Sequence, residues 1–464
     1  MSKRVIFILV LIFVSIFSVT RPVSAQAGGP VYIVQSGDTL SYIASRFNVS
    51  LNDLLAANPS IDPNFLSEGQ QVVIPGLEGV TGILETEVIT FGDSLRSLSR
   101  RTQVSDAQLI KLNRLVSPTE LYVGISLIIP LQEGQTQFIS RTSTGTGESL
   151  LELSIKQGSD PWTLSSINKL NGTWSALPND VLYSPSGNGS GASGLPSAFI
   201  SARIDPLPLV QGGTEIVRVQ MEDGYTVSGT LMDRPLRFFQ SNGEQVALQG
   251  VHALLEIGVY PLRLEAIVSD GTKQSYEQMV LVETGNYLSE PIPLNDASTL
   301  DPAVTEPENQ KLLAITNVVN ATKYWNGIFS SPAIYPDCFT SHYGTRRNYV
   351  VINTDIEVSG FHTGLDFCGG EGLQIFAPAP GQVVFAGPLT VRGNATIIDH
   401  GRGVYSGFWH QSESYVTTGD FVEQGQVIGL VGGTGRVTGP HLHWEVWVNG
   451  VQVNPLDWLD QTYP

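Results

Sequence analysis

Positive charge is scarce in this 464-residue chain. Lys and Arg number 25 against 43 Asp and Glu, for a formal net charge of −18, and charged residues of both signs reach only 15%. Gripping a phosphate backbone requires a basic face, so composition excludes nucleic acid as a partner. Cysteine is almost missing: Cys338 and Cys368 are the whole complement, which rules out a scaffold stapled by many disulfides. Long hydrophobic runs are missing too, save Val5–Val19 behind Lys3-Arg4. That run is 15 residues long, short of the ~20 a spanning helix needs. With the small-x-small segment Val23-Ser24-Ala25 after it, residues 1–25 read as an export signal; a retained membrane anchor is the alternative. The expectation is an exported chain with no stable membrane span after signal cleavage. Length implies about three or more domains.

Histidine is rare as well, but it is concentrated. Six of the seven (His342, His362, His400, His410, His441, His443) lie between positions 342 and 443. His441, His443 and Glu445 are spaced i, i+2, i+4, which in an extended strand puts all three on one face and Leu442, Trp444 and Val446 on the other, in a core. Upstream, Phe361-His-Thr-Gly-Leu-Asp366 adds a His-x-x-x-Asp pair. Imidazole nitrogens and a carboxylate are the donors zinc prefers, and catalytic zinc sites use three protein ligands and keep one position for water. His362, Asp366 and one tandem histidine would make three, leaving a spare histidine beside the metal. The competing reading is a set of core histidines or an inactive binding fold.

Residues from about Phe339 to Pro455 resemble the lysostaphin-type (LytM-like) zinc endopeptidases, which cut peptide cross-links in bacterial cell walls. The resemblance rests on His362/Asp366, Phe408-Trp409-His410 and His441-Leu442-His443, with Ala377-Pro-Ala-Pro-Gly381, Asn394–Gly401 and Val422–Gly429 between them. It implies His362, Asp366 and His443 as ligands of one zinc ion per chain, and His410 and His441 as an unliganded catalytic pair. His441 is assigned to water activation and His410 to oxyanion stabilisation, with exchange of the two roles left open. Phe408 stands where the family often has Tyr.

Residues 31–76 read strand-helix-helix-strand. Leu40, Ile43, Ala44 and Phe47 form a helical stripe, Ser50 and Asp53 a capping pair, and Gln71-Val-Val-Ile-Pro75 the closing strand. The pattern recurs at a 55-residue interval: Gly37/Gly92/Gly147, Leu40/Leu95/Leu150, Asn58/Asn113/Asn168, Pro75/Pro130/Pro185. With Ser-Gly-Asp-Thr-Leu near its start, the first copy (31–76) resembles the LysM module; the second (84–131) is a weaker match and the third (139–185) is degenerate. The resemblance implies binding of N-acetylglucosamine-containing glycans such as peptidoglycan through Gly37, Asp38, Thr39, Pro59, Ser60 and Ile61. Spacers without sugar contact are the competing reading for the later copies.

Ser186–Gly194 is a Gly/Ser linker (186–197). Residues 198–286 alternate like strands and read as a small Ig-like β-sandwich with a hairpin turn at Asp270-Gly271. Residues 287–334 read as a tether followed by a helix from about Pro307 to Asn320 that packs on the peptidase flank; covering of the active-site groove is the competing reading. Residues 335–460 read as an antiparallel β peptidase domain in which Phe408, Trp409, Trp444 and Trp447 divide between groove and core, Trp444 being core. An even cysteine pair in an exported protein favours a Cys338–Cys368 disulfide, against free thiols or an alternative zinc ligand.

The expected class is therefore a multidomain α+β and all-β chain: a secreted, peptidoglycan-targeted zinc endopeptidase of the cell wall or periplasm. A silent regulator of a wall amidase and a glycan-binding envelope protein are the other classes.

Overall fold

The computed structural model describes residues 29–77, 79–117, 120–131, 140–144, 147–178, 180–184, 195–196, 198–268, 271–294 and 297–464. The expected export signal, the linker at 186–194, Thr146, Pro185 and Asp270 lie outside the described residues. Among those described, no helix is long and apolar enough to cross a membrane. The chain divides into two compact units, Met1–Glu85 with Pro130–Gln135, and Thr86–Ile129 with Thr136–Pro464.

The first unit holds strands Val31–Ile33 and Gln71–Val73, paired antiparallel, and helices Leu40–Phe47 and Leu51–Ala57 between them. Local chemistry sets these bounds. Thr39 accepts the Tyr42 amide at 3.1 Å to start the first helix, and Asn48, at φ 56, ends it. Ser50 Oγ accepts the Asp53 amide at 3.0 Å and donates to its carboxylate at 2.7 Å. Leu40, Ile43, Ala44 and Phe47 are all buried.

The recurring asparagine explains the 55-residue interval. Asn58 Nδ2 donates to the carbonyls of Leu54 (2.8 Å) and Val73 (2.7 Å), while its Oδ1 accepts the Val73 amide at 2.8 Å. Asn113 makes the same three bonds to Leu109 and Ile128, and Asn168 to Leu164 and Tyr183. Each asparagine locks the end of the second helix to the closing strand. In the second unit it does so for helices Leu95–Thr102 and Asp106–Asn113, and for Leu150–Lys156 and Pro161–Ile167 with strand Val181–Ser184.

Residues 199–283 form two sheets over one core. Ile204, Val217, Val219 and Ala247 come from one sheet, and Leu231, Leu262, Leu264 and Val280 from the other. The segment expected as a tether is partly a strand: Ser289–Leu294 pairs in parallel with Arg346–Val351. The helix after it runs Pro302–Thr316 rather than from Pro307. Asp301 caps it by accepting the Ala303 amide at 2.8 Å, so Pro302, not Pro307, is the proline at its first turn. It does pack on the peptidase, through Leu312 against Tyr405, Trp409 and Trp447.

The peptidase region is one antiparallel sheet in the order Phe339–Ser341, Leu365–Phe367, Leu442–Val448, Val404–Gln411, Gly393–Gly401, Gly381–Leu389, Phe421–Val422, with Val451–Val453 added onto Leu442–Val448. A smaller sheet, Gln374–Phe376, Val427–Leu430 and Glu413–Ser414, flanks it. Cys338 and Cys368 are joined as a disulfide, with Cα atoms 5.5 Å apart.

The two-sheet unit docks on the back of the peptidase. Leu248 enters the peptidase core, Trp458 Nε1 donates to Thr214 Oγ1 at 3.3 Å, and the Asn454 amide donates to Gly212 O at 2.8 Å. Two acids sit near this seam. Burial holds the Glu215 carboxyl well above its usual range, with Asp457 adding to the effect; burial also pushes Asp457 up to about 6, with Asp460 adding.

Two predictions follow from these contacts. Asn113→Ala leaves the Ile128 amide and two carbonyls without their side-chain partner and should cost about 2–4 kcal/mol in denaturant-derived stability of the second unit. Folded Asp457 keeps its proton to about pH 6, whereas the unfolded group releases it near pH 4. The native state binds more protons in that window, so stability falls as pH rises from about 4 to about 6. Asp457→Asn should flatten this decline by about 2–3 kcal/mol, read as denaturation midpoints at pH 4 and 7; superimposable profiles would exclude it.

Candidate metal centre and glycan loops

Strand register assembles the centre. Leu365–Phe367 pairs with Leu442–Val448 so that Asp366 lies opposite His443, and on the other side His443 lies opposite Trp409. His362 Nε2, Asp366 Oδ1 and His443 Nδ1 form a triangle with edges of 3.0, 2.7 and 3.1 Å. Gly364 permits this approach: a Cβ there would meet the Trp444 carbonyl at 2.3 Å and His443 Nε2 at 2.6 Å.

Hydrogen-bond directions then fix what each atom offers. His362 Nδ1 donates to the His342 carbonyl at 2.9 Å, leaving Nε2 as a lone pair. His443 Nε2 points at Glu445 Oε1, 3.3 Å away, which leaves Nδ1 toward Asp366. Burial alone would raise the Asp366 pKa, but His443 and His362 outweigh it and hold the carboxyl well below its usual range. Two imidazole nitrogens and an anionic oxygen thus converge on one point, a donor set that a cation fits. Glu445 is itself held by Thr363 Oγ1 at 2.6 Å and Gln452 Nε2 at 3.1 Å. Burial would raise its pKa, but the His443 bond and the Arg392 charge bring it down to about 2.

The other two histidines stand beside the triangle. His441 Nδ1 donates to Gly439 O at 2.8 Å and presents Nε2 3.5 Å from Asp366 Oδ1. His410 Nδ1 donates to Thr434 O at 2.7 Å, and its ring centroid is 5.2 Å from that of His441. Burial, with His443 beside it, pushes the His410 pKa down to about 3, so the ring is neutral. Adjacent strand residues should face opposite ways, yet Trp409 and His410 both line the cleft. The pairing slips here, Thr396 facing Phe408 but Asn394 facing Gln411, and His410 adopts φ 63. This bulge turns its ring back to the Trp409 side.

Among the aromatics offered for the groove, Trp409 lines it, whereas Phe408 lies in the peptidase core and Trp447 packs beneath the Pro302–Thr316 helix. Trp444 is core. His400 is a buried structural residue, bonded to Pro380 O and Ser406 Oγ. Sequence reading missed Arg347, whose guanidinium reaches Asp366 Oδ2 at 3.4 Å and Ser341 Oγ at 2.9 Å. It placed Glu445 on the right face but gave it no task, although a lone acid on an apolar strand was a readable signal. Asn320 Nδ2 donates to the Tyr324 hydroxyl at 2.9 Å, and its backbone carbonyl accepts the Arg402 amide.

The glycan-loop candidates divide in two. Gly37 takes φ 84 in the first turn, Asp38 holds that turn by accepting the Gln35 amide (2.8 Å) and the Tyr32 hydroxyl (2.9 Å), and Thr39 is the helix cap. Pro59 and Ser60 are exposed and Ile61 is buried. The matching loop of the second copy is covered. Phe91 packs edge-on against Tyr276, the Gly92 amide donates to Gln278 Oε1 at 2.8 Å, and Gln278 Nε2 donates to Asp93 O at 3.2 Å.

Two histidines and a carboxylate gather around one point where a metal ion could be held, with two further histidines beside it. Residues 360–455 match the model of Peptidase family M23, and residues 32–75 and 88–130 match the LysM domain model. The chain therefore carries an M23 peptidase domain and LysM domains. Over 95 residues it is 44% identical to "DD-carboxypeptidase/endopeptidase Mpg" of Neisseria meningitidis serogroup B, covering 20% of this chain and 22% of that one. Over 94 residues it is 43% identical to "Peptidoglycan DD-endopeptidase ShyC" of Vibrio cholerae, with the same coverage of 20% and 22%. The match thus spans about a fifth of these curated relatives' length. The catalytic domain of lysostaphin from Staphylococcus simulans is 32% identical, with a TM-score of 0.21, covering 22% of this chain and 81% of that one.

Glu445→Ala should weaken metal binding about 10–100-fold, and Glu445→Gln less, measured by competition with a chromophoric chelator. Burial pulls the His443 pKa down, but Asp366 and Glu445 raise it overall above its usual value, so protons compete for the nitrogen. Metal affinity should accordingly fall as pH is lowered through neutrality; a pH-independent affinity would contradict this ligand set.

Proposed function

We propose that this chain is an exported zinc endopeptidase that hydrolyses the cross-linking peptides of peptidoglycan, held to the glycan strands by its LysM modules. The observation that carries the reading is the converging acceptor triangle of His362, Asp366 and His443, open to a cleft that His410 and His441 also line. The endopeptidase names of the relatives that match these same residues support it. One zinc ion held there supplies Lewis acidity toward a water molecule and the scissile carbonyl.

The side chains around it do the rest. His441, its Nδ1 turned to the Gly439 carbonyl, presents Nε2 beside Asp366 and is placed to take the proton of an attacking water. His410, fixed through Nδ1 to the Thr434 carbonyl and kept neutral by burial, lines the same cleft on the side assigned to the developing oxyanion. Glu445 and Arg347 hold His443 and Asp366 in place.

The first LysM module, with its loop at Gly37–Thr39 and exposed Pro59-Ser60, is the glycan grip; the second is a structural coupler, since its loop is spent on Phe91 and Gln278. The two-sheet unit is an Ig-like spacer that fixes the peptidase to that coupler. The chain acts outside the cytoplasmic membrane, in the wall or periplasm. A silent regulator of an amidase would need no metal triad.

Dye-labelled peptidoglycan tests the proposal. Release should occur with zinc, stop with chelator, and fall at least about 100-fold in His443→Ala and His410→Ala, while wall pelleting persists in both variants. Absence of chelator-sensitive release from the zinc-loaded chain would refute it.

A further inference from the structure

The bridge between Cys338 and Cys368 spans a sequence separation of 30, and the loop it closes contains His362 and Asp366, two members of the metal triangle. Cys368 lies two residues beyond Asp366. Strand pairing runs right up to the bridge. The Cys368 amide donates to Cys338 O at 2.9 Å, Phe339 lies opposite Phe367, and Ser341 lies opposite Asp366. Phe339–Ser341 has only three residues and forms an edge of the catalytic sheet. A strand that short, paired on one side, gains few backbone bonds to hold its register. Its register is also irregular, since the step from Phe339 to Ser341 answers the single step from Phe367 to Asp366.

The residues after Cys338 touch the centre in several places. Ser341 Oγ accepts from Arg347 at 2.9 Å, and the same guanidinium reaches Asp366 Oδ2 at 3.4 Å. Thr340 Oγ1 donates to the Asp366 carbonyl at 3.4 Å. The His342 carbonyl accepts from His362 Nδ1 at 2.9 Å, the bond that turns Nε2 toward the metal point. Further on the chain is fixed from the other side. Tyr343 is buried and its hydroxyl donates to Gln452 O at 2.8 Å, while His362 pairs with Gly344 and Thr345 through backbone bonds of 2.8 Å. Residues 339–342 thus hang between two anchors, one covalent and one hydrogen-bonded. Past Cys368 the chain continues as the exposed run Gly369-Gly370-Glu371, whose glycines add no backbone rigidity. Cys338 is exposed and Cys368 half-buried, so a soluble reductant can reach the bond.

The geometry points to the Cys338–Cys368 bridge as a positioning device for the metal centre. It holds Phe339–His342 so that Ser341 and the His342 carbonyl orient Asp366 and His362, and its reduction lowers metal affinity while the sheet stays folded. A dithiol supplies two electrons and two protons, splitting the S–S bond into two thiols and itself closing to a disulfide. Groups behind metal ligands change affinity about 10–100-fold, and one that acts through Ser341 and a carbonyl belongs at the low end. The inference rests on the metal reading above for the ion, but the positioning can also be read without it.

Zinc affinity of the full chain would be measured by competition with a chromophoric chelator in three forms: oxidised, reduced with dithiothreitol and then freed of it without air, and Cys338→Ser/Cys368→Ser. The last two should bind zinc about tenfold more weakly than the first. Ser341→Ala in the bridged chain should cost about threefold, and should add little in the serine pair, because both changes act through the same contacts. Hydrogen exchange of the metal-free chain gives a second reading. Protection of residues 339–342 and 362–368 should fall in both unbridged forms, with Gly393–Gly401 and Val404–Gln411 unchanged. Equal zinc affinity in all three forms, or fully additive losses, would overturn the proposal. So would unfolding of the whole sheet on reduction, which would make the bridge a general staple. If no form binds zinc, the metal reading fails, and the exchange pattern alone decides whether the bridge positions these residues.

Discussion

Everything catalytic in this molecule hangs on the register of one strand. Leu442–Val448 is paired on both sides, and those pairings put His443 opposite Asp366 on one neighbour and opposite Trp409 on the other. Side chains alternate along a strand, so a slip of one residue would send His443 and Glu445 into the core and bring Trp444 to the cleft. The large apolar cost of that exchange is what holds His443 and Glu445 on the cleft face. Trp444 and Val446 are fully buried, and both belong to the same core as Phe367 and Phe408. Packing on one face of the sheet thus sets chemical geometry on the other.

Polar bonds refine what packing sets. Every ring nitrogen turned away from the centre has a named acceptor: His342 O, Glu445, Gly439 O or Thr434 O. Three of these are backbone carbonyls, which can only accept, so they fix the Nδ1–H tautomer of His362, His441 and His410. The exception is His443, whose partner is a carboxylate. Glu445 lies deep in the sheet, yet it stays ionised because His443, the Arg392 charge and the Thr363 hydroxyl together outweigh its desolvation. An ionised buried acid behind a ligand imidazole makes that nitrogen more basic and its hold on a cation firmer.

Much of this was legible in the sequence, and the rest was hidden for identifiable reasons. The His-x-x-x-Asp and His-x-His spacings exposed the triangle because ligand chemistry restricts residue type. The 55-residue interval exposed three modules because one side chain, the clamping asparagine, must sit 15 residues before the strand residue it bonds; Asn58 to Val73 sets the pattern. Arg347 was invisible, since its approach to Asp366 depends on pairing between strands that share no local pattern. The facing of His410 was also invisible: period-two reasoning assigns it and Trp409 to opposite sides, and only a bulge overrides that rule. The start of the helix was misjudged because two prolines, Pro302 and Pro307, compete for the first-turn position, and the decisive signal was the capping Asp301.

The modules show how one sequence framework takes on different work. Fold-defining positions are shared: the cap before the first helix and the asparagine after the second recur in all three copies. The loop between first strand and first helix is not under that constraint. In the first copy Gly37 and Thr39 are exposed. In the second, Phe91 has become part of the two-sheet core, and Gln278 satisfies both a donor and an acceptor of the loop backbone. A backbone loop whose amide and carbonyl are already bonded in a buried seam cannot offer them to a sugar without breaking that seam. Desolvation makes the exchange unfavourable. Repetition thus supplied a stable unit, and burial of one loop ties the second copy to the two-sheet unit.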